Sequence, residues 1–359
     1  MPLFLPMLCA LPHLNYDAGH EKDGQHLCTN VQTGAPMTAE GLLTPGRRES
    51  AALAAARMYY LQDLTMEAIA RELDTSRSTV SRLISHARAT GLVDIRVRAP
   101  LELRSGLEAA LSDRFGIDVH IVPIPDRNSD VERLERVALS AARLLNGFLE
   151  SDMVLGLAWG STTNALSRHL VPKSTDNTHV VQLNGAGNSR TTGLTYASEI
   201  LRRFGEAYGA QVHQFAVPAF FDDPATKLAM WRERSTRLVL DMQERVDIAV
   251  FGLGSPFAEV PSRVYMGGYL DEGDYASLSD AEVVGDIATV FYRLDGSHDG
   301  IRLNARSTGP APELLRGIRR RFCVVAGRAK LDSLRGALAG GFVTDLVVDE
   351  GTARELAAS

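Results

Sequence analysis

The sequence predicts an α/β protein with two folded parts: an N-terminal helix-turn-helix module and a C-terminal doubly wound, mostly parallel α/β domain. Three observations predict it. Capped, amphipathic helical segments fill residues 47–99. From residue 100 onward, short apolar strands alternate with helical stretches, the pattern of a parallel sheet covered on both faces. Several of those strands end in Gly-rich turns.

Composition sets the outer limits. The chain has 359 residues, 45% apolar and 23% charged, and at about 100–200 residues per domain this suits two domains. No apolar run approaches the roughly 20 residues of a membrane span, so no membrane partner is expected. Cys9, Cys28 and Cys323 are an odd, sparse set, as expected in a reducing cytoplasm and not in a disulfide framework.

Residues 1–46 are rich in Pro, Gly, Thr and His without a sustained period, and read as a disordered arm. Met1 to Leu14 is apolar but carries no Lys or Arg and is broken by Pro2, Pro6 and Pro12, unlike a secretory signal. Met37 is an alternative start. His13, His20 and His26 with Cys9 and Cys28 match no compact zinc spacing, so no metal site is expected.

The helical module starts at Glu49. Ala51 to Leu61 is a strong helix former, with Leu53, Ala56, Tyr60 and Leu61 on neighbouring turns. Thr65 caps a second helix whose inner face is Ala68, Ile69 and Leu73. Asp74-Thr75 makes the turn, and Ser76 caps a third helix running to about Thr90, with Gly91 at its end. Val80, Leu83, Ile84 and Ala87 form its core face. Arg77, Ser78, Ser81, Arg82 and Ser85 lie opposite. Small hydroxyls let a helix approach a phosphate backbone, and the arginine fork matches guanine O6 and N7. Thr65, Ser76, Arg77, Ser78, Thr79, Ser81 and Arg82 are therefore the candidate contacts to duplex DNA, the second helix of the pair being the recognition helix. A solvated helical hairpin is the plainer alternative. After Gly91, Val93, Ile95 and Val97 alternate with charged residues as a short strand.

Charge agrees with the DNA reading. The chain carries a net −6, yet residues 47–98 hold nine Arg against six acidic residues, and Arg77 to Val93 contains three Arg and no acid. A basic strip on an acidic protein is the footprint of a small DNA-binding module.

In residues 100–359, Leu103, Leu107, Leu111 and Phe115 form a helical stripe suited to packing on the domain behind it, with dimerisation as the alternative. Strands are expected at Val119–Val122, Met153–Leu157, His179–Leu183, Val212–Phe215, Asp247–Phe251, Thr289–Tyr292, Phe322–Ala326 and Leu346–Val348. Helices are expected at Asp130–Glu150, Thr195–Tyr208, Lys227–Glu244 and Leu331–Ala339. Ligands of such sheets bind beyond the strand C-termini, where three Gly-rich turns fall: Trp159 to Thr163, Asn184 to Gly187, and Gly252 to Ser255. Gly160, Ser161, Thr162 and Thr163, opening a helix after a strand, suit an anion such as phosphate. The turn is not a P-loop, since no Lys follows its glycine. Gly185 and Gly187 are not a dinucleotide fingerprint, because Arg190 stands where the third Gly would be. No cofactor is expected. His298 and Asp299 read as a surface turn, Met230 and Trp231 as core, and Cys323 as a buried small apolar residue.

These segments resemble the SorC-like branch of the SorC/DeoR-type bacterial transcriptional regulators. The resemblance is carried by Leu64 to Ile84, by Ala87 to Arg96, and by Gly156-Leu-Ala-Trp-Gly-Ser-Thr162. It continues through Asp247-Ile-Ala-Val-Phe-Gly-Leu-Gly254, Gly267-Gly-Tyr-Leu270, Gly285-Asp-Ile287 and Val325-Ala-Gly-Arg-Ala-Lys330, from Glu49 to the C-terminus in the family's order. It implies a cytoplasmic homo-oligomer, a dimer or tetramer, that binds a DNA operator. Its C-terminal domain (100–359) would resemble sugar-phosphate isomerases and sense a phosphorylated sugar or polyol. By position, Gly160 to Thr163 would hold the phosphate with Lys330, and Asp286 would accept from sugar hydroxyls. Gly185 and Gly187 would line the site, with Arg263 and Arg306 as nearby cations. Ala186 and Arg328 stand where the family often has Gly.

Two other classes of protein fit the sequence less well. A sugar-phosphate isomerase would need a general base, for which Asp286 or Glu282 could serve, but no paired acid and base stand out and an isomerase has no use for the basic helix. A nucleotide-binding oxidoreductase fails on the missing third Gly. The sequence therefore points to a regulator and not to an enzyme.

Overall fold

The computed structural model describes residues 45–93, 106–189, 194–256 and 262–359. The arm with Met37 and its Cys/His tract lies outside the described residues, as do Leu103 and most of the strand expected at 93–97.

Three helices open the described chain: α1 (Pro45–Leu61), α2 (Met66–Glu72) and α3 (Arg77–Ala89). Capping sets their starts. Thr65 Oγ1 accepts the Ala68 amide at 3.2 Å, and Ser76 Oγ accepts the Thr79 amide at 3.1 Å. Each satisfies a first-turn donor and contributes about 1 kcal/mol. Asp74 (φ 45°) turns the chain between α2 and α3, and Gly91 (φ 75°) ends α3, as positions of left-handed backbone should.

The packing corrects one expectation. Leu53 and Leu61 are 42% and 76% exposed, whereas Ala51, Ala52, Ala55 and Ala56 are buried against Val80, Leu83, Ile84 and Ala87. Alanines let α1 lie close on α3, where leucines would hold the two helices apart. On α2 the buried residues are Ile69 and Ala70.

After α4 (Gly106–Phe115), seven strands form one sheet: β1 (Asp118–Val122), β2 (Val154–Leu157), β3 (His179–Gln182), β4 (Gln211–His213), β5 (Ile248–Gly252), β8 (Arg320–Val325) and β9 (Asp345–Asp349). Their order is β1-β9-β8-β5-β2-β3-β4, with every neighbouring pair parallel. Strand period divides the side chains between two cores. Leu155, Leu157, Ile248, Val250, Phe322 and Val324 face α5 (Asp130–Phe148), α6 (Ser161–Ser167) and α7 (Leu194–Tyr208). Val154, Ala249, Phe251, Cys323 and Val325 face α4, α9 (Arg234–Gln243), α13 (Leu331–Ala339) and α14 (Glu350–Ala358). Leu107, Leu111 and Phe115 pack in this second core, and Cys323 is fully buried there.

Three local expectations are corrected. The helix expected over Lys227–Glu244 is two, α8 (Pro224–Met230) and α9. The break falls where Trp231 turns its ring onto Phe215 and Phe221, contacts a continuous helix would redirect. Thr289–Tyr292 does not join the parallel sheet: β7 (Val290–Arg293) pairs antiparallel with β6 (Val283–Ile287), a strand the pattern did not suggest. Their turn is Ala288 (φ 49°) and Thr289 (φ 70°), a geometry that normally selects Asn or Gly. Finally, β4 ends at His213, two residues before the expected Phe215. His298 sits in the turn after β7, 3.8 Å from both Asp299 and Glu313 carboxylates.

The topology places a crevice. From β2 the chain moves outward through β3 and β4, then returns to β5 on the other side of β2. The C-terminal ends of β2 and β5 flank this reversal, where open parallel sheets receive ligands.

Two glycines separate steric from conformational need. A methyl group at Gly185 would overlap the Pro218 and Val217 carbonyls, while at Gly160 it would meet nothing within 4 Å, and Gly160 is in extended backbone at φ 164°. Gly185→Ala is expected to cost about 1–3 kcal/mol by overpacking, and Gly160→Ala less than about 1 kcal/mol. Urea denaturation of the two variants checks this; equal costs would contradict the packing described.

Candidate functional site

The crevice contains a small, partly open cavity of about 30 Å³. Loops after β2, β3, β5 and β8 and the β6–β7 turn supply its walls: Trp159 to Thr163, Asn184, Gly252 to Gly254, Asp286, Ala288, Thr289 and Lys330. Gly160 precedes the first turn of α6, so the amides of that turn open toward the cavity, and the Thr163 hydroxyl donates to Ala158 O at 2.6 Å, holding the turn.

Lys330 ends the loop after β8, directly before α13. Its ammonium is 6% exposed and donates to Leu253 O at 2.7 Å. Burial lowers its pKa, and the nearby Asp286 opposes that shift. Asp286 is 4% exposed on β6. Burial pushes its carboxyl up to about 6, against the pull of the Thr289 amide, the Tyr265 hydroxyl and Lys330. Oδ2 accepts the Thr289 amide at 3.2 Å, while Oδ1 completes no hydrogen bond among the described residues, with the buried Tyr265 hydroxyl near the carboxyl as its candidate donor. Asn184 Oδ1, also buried, completes none among them either. A methyl group at Gly254 would overlap Asp286 Oδ1, so the last glycine of the β5 turn is what admits the carboxyl. One side of the cavity thus offers donors and positive charge, and the other offers unsatisfied acceptors.

Beside it lies an open cleft of about 600 Å³, with Gly187, Asn188, Pro218, Phe220, Tyr269 and Arg306 among its lining. A tilted stack of Trp159 and Tyr269, with centroids 5.2 Å apart, stands between the two spaces. The Trp159 indole donates to Gly185 O at 2.8 Å, and Tyr269 donates to Ala186 O at 3.1 Å.

The candidate residues therefore divide. Gly160, Ser161, Thr162, Thr163, Asp286 and Lys330 share the small cavity, while Gly187 and Arg306 line the larger cleft. Gly185 packs behind both. Arg263 lines neither space, its guanidinium lying 3.8 Å over the Tyr196 ring. Glu282, the alternative base, also lines neither and occupies the turn before β6 at φ 53°. Sequence reasoning missed Trp159, Asn184, Ala288 and Thr289 as lining residues. Trp159 and Asn184 lay inside turns already singled out, but Ala288-Thr289 carries no turn signature at all.

On the helical module, Val80, Leu83, Ile84 and Ala87 are buried, and Arg77, Ser78, Arg82 and Ser85 are exposed on the other side of α3. Ser81 is half-buried. Ser76 Oγ, besides capping, lies 2.8 Å from Ser78 Oγ and 2.9 Å from Thr79 Oγ1. Arg77 is held by Glu67 of α2, Nε to Oε1 at 2.9 Å with both side chains largely exposed, an ion pair weak enough to yield to DNA.

A sugar-binding-domain family model matches residues 99–358, and a model of sigma-70 region 4 matches residues 54–90. The deoxyribonucleoside regulator of Bacillus subtilis (strain 168) is 31% identical over 86% of this chain and 97% of its own length. The sorbitol operon regulator of Klebsiella pneumoniae is 26% identical over 84% of this chain and 95% of its own. Among solved structures, a domain of a possible sugar-binding transcriptional regulator from Arthrobacter aurescens TC1 superposes with TM-score 0.67 at 53% identity, covering 72% of this chain and all (100%) of that one. The full-length sorbitol operon regulator SorC from Klebsiella pneumoniae gives TM-score 0.64 at 24% identity, over 86% of this chain and 99% of that one, a likeness of fold. No helix among the described residues is long and apolar enough to cross a membrane. A helix-turn-helix module joined to a parallel α/β domain with a polar crevice, matched over nearly the whole length of these relatives, places the chain in the SorC-like family of transcriptional regulators, DNA-binding proteins with a sugar-binding domain and not enzymes.

Proposed function

We propose that this regulator responds to a phosphorylated sugar or polyol, whose phosphate sits in the small cavity against the amides of Gly160 to Thr163 and the Lys330 ammonium. The observation that carries this reading is the buried Lys330 beside an amide-rich turn at the reversal point of a parallel sheet. The ammonium already has Asp286 near it, and an anion in the cavity adds a second, charge-assisted partner. Asp286 Oδ1 and Asn184 Oδ1 then accept from effector hydroxyls. Relatives named for a deoxyribonucleoside and a sorbitol operon are consistent with a sugar-type ligand.

In this reading, residues 47–99 bind the operator and residues 100–359 bind effector and associate as a dimer or tetramer in the cytoplasm. Recognition helices from two subunits enter successive major grooves. Arg77 and Arg82 contact bases or phosphates, while Thr65, Ser76, Ser78, Thr79 and Ser81 set the approach. The effector shifts DNA affinity only by as much as its own affinity differs between the bound and free arrangements.

Three outcomes follow. Arg77→Ala and Arg82→Ala should each weaken binding to operator fragments selected from genomic DNA by about 1–3 kcal/mol; unchanged affinity for both, by fluorescence anisotropy, would overturn the recognition-helix assignment. Lys330→Gln should weaken binding of inorganic phosphate and sugar phosphates by about tenfold or more, the value of a charge-assisted hydrogen bond, as read by calorimetry. For Asp286, folding raises the carboxyl from 3.8 to about 6. Its contribution to stability is therefore complete below the unfolded value and is lost as pH rises through the folded one. Between about pH 5 and 7 the wild type should lose roughly 1 kcal/mol of unfolding free energy that Asp286→Asn does not lose. Parallel pH profiles for the two proteins would contradict the buried placement of Asp286.

A further inference from the structure

The open cleft differs chemically from the cavity beside it. Pro218, Phe220, Tyr269 and Leu270 supply apolar lining. Its charged lining among the described residues is acidic: Asp222, Asp271 and Asp274 stand with one cation, Arg306. That arginine is already committed. Nη1 meets Asp274 Oδ1 at 2.6 Å, Nε donates to Phe221 O at 2.7 Å, and Nη2 lies 3.8 Å from Asp222 Oδ1. Three carboxylates against one arginine leave the described lining residues with a net charge of −2. Asp271 caps α11 (Glu272–Asp280) by accepting the Asp274 amide at 2.7 Å, and the Asp222 side chain stands fully in solvent. Arg263, the other cation near Tyr269, is stacked away on Tyr196.

Such a surface suits one class of ligand. Carboxylates accept pairs of hydroxyls and the rings of Phe220 and Tyr269 suit the C–H face of a sugar, whereas a second dianion there would meet the like charge of the described carboxylates. Resting on the reading that phosphate occupies the small cavity, we propose that the effector is singly phosphorylated, and that its other end is an uncharged polyol lying past the Trp159–Tyr269 stack in the open cleft. Asp222 and Asp271 are then specificity residues that exclude sugar bisphosphates.

The test compares matched pairs on the full-length protein by calorimetry: glucose 6-phosphate with glucose 1,6-bisphosphate, and fructose 6-phosphate with fructose 1,6-bisphosphate, with inorganic phosphate as reference. Each bisphosphate should bind at least about tenfold more weakly than its monophosphate. The ratio should shrink at least about threefold in the double variant Asp222→Asn/Asp271→Ser. Serine keeps the α11 cap while removing the charge, so the fold survives, and matching thermal unfolding of the variant verifies that it does. Bisphosphates that bind the wild type as well as monophosphates overturn this inference alone, as does a ratio the double variant leaves unmoved. If no phosphate compound binds, inorganic phosphate included, the phosphate reading fails first and this inference with it.

Discussion

The contact on which the site depends is the burial of one carboxyl against one backbone. Asp286 presses onto Gly254 so closely that no side chain fits there, and its other oxygen takes the amide of Thr289. That bond holds a hairpin turn through Ala288 and Thr289, both in left-handed backbone, at a cost of order 1–3 kcal/mol per residue unless the surroundings compensate. The same carboxyl supports the charge of Lys330 from across the cavity. Removing it would release the turn, leave the ammonium without its counter-charge and open the space that Gly254 provides.

The parallel sheet makes this arrangement possible. A carboxyl from an antiparallel ribbon, an ammonium from the loop after β8 and hydroxyls from the loop after β2 meet because those loops all leave the same edge of the sheet. The inner strands β2, β3, β5, β8 and β9 are buried on both faces, so their registers are set by packing on two sides and the loop ends have little freedom to drift. The strain at Ala288 and Thr289 rests on that rigidity.

The helical module solves a different problem with different residues. Its core is built from alanines on α1 and branched residues on α3, so that α3 lies close to its support and turns a hydroxyl- and arginine-bearing side outward. The Glu67–Arg77 pair holds one of those arginines in place at little energetic cost.

The sequence by itself determined the large divisions and the helix starts. Thr65 and Ser76 announce α2 and α3 through capping chemistry that involves only three or four consecutive residues, and strand–helix alternation from residue 118 onward names the parallel sheet. It also placed Gly160 to Thr163 at a strand end, because a Gly followed by hydroxyls is a local signal. Tertiary structure decided the rest. That Leu53 faces water while Ala52 is buried depends on how near α3 comes. That Thr289 turns a hairpin depends on the carboxyl of Asp286, and that Trp231 breaks a helix depends on Phe215 and Phe221. Which candidates share a cavity, and that Arg306 and Arg263 do not join Lys330, follows from strand order. Strand order is set by packing between segments hundreds of residues apart, and local propensity carries no information about it.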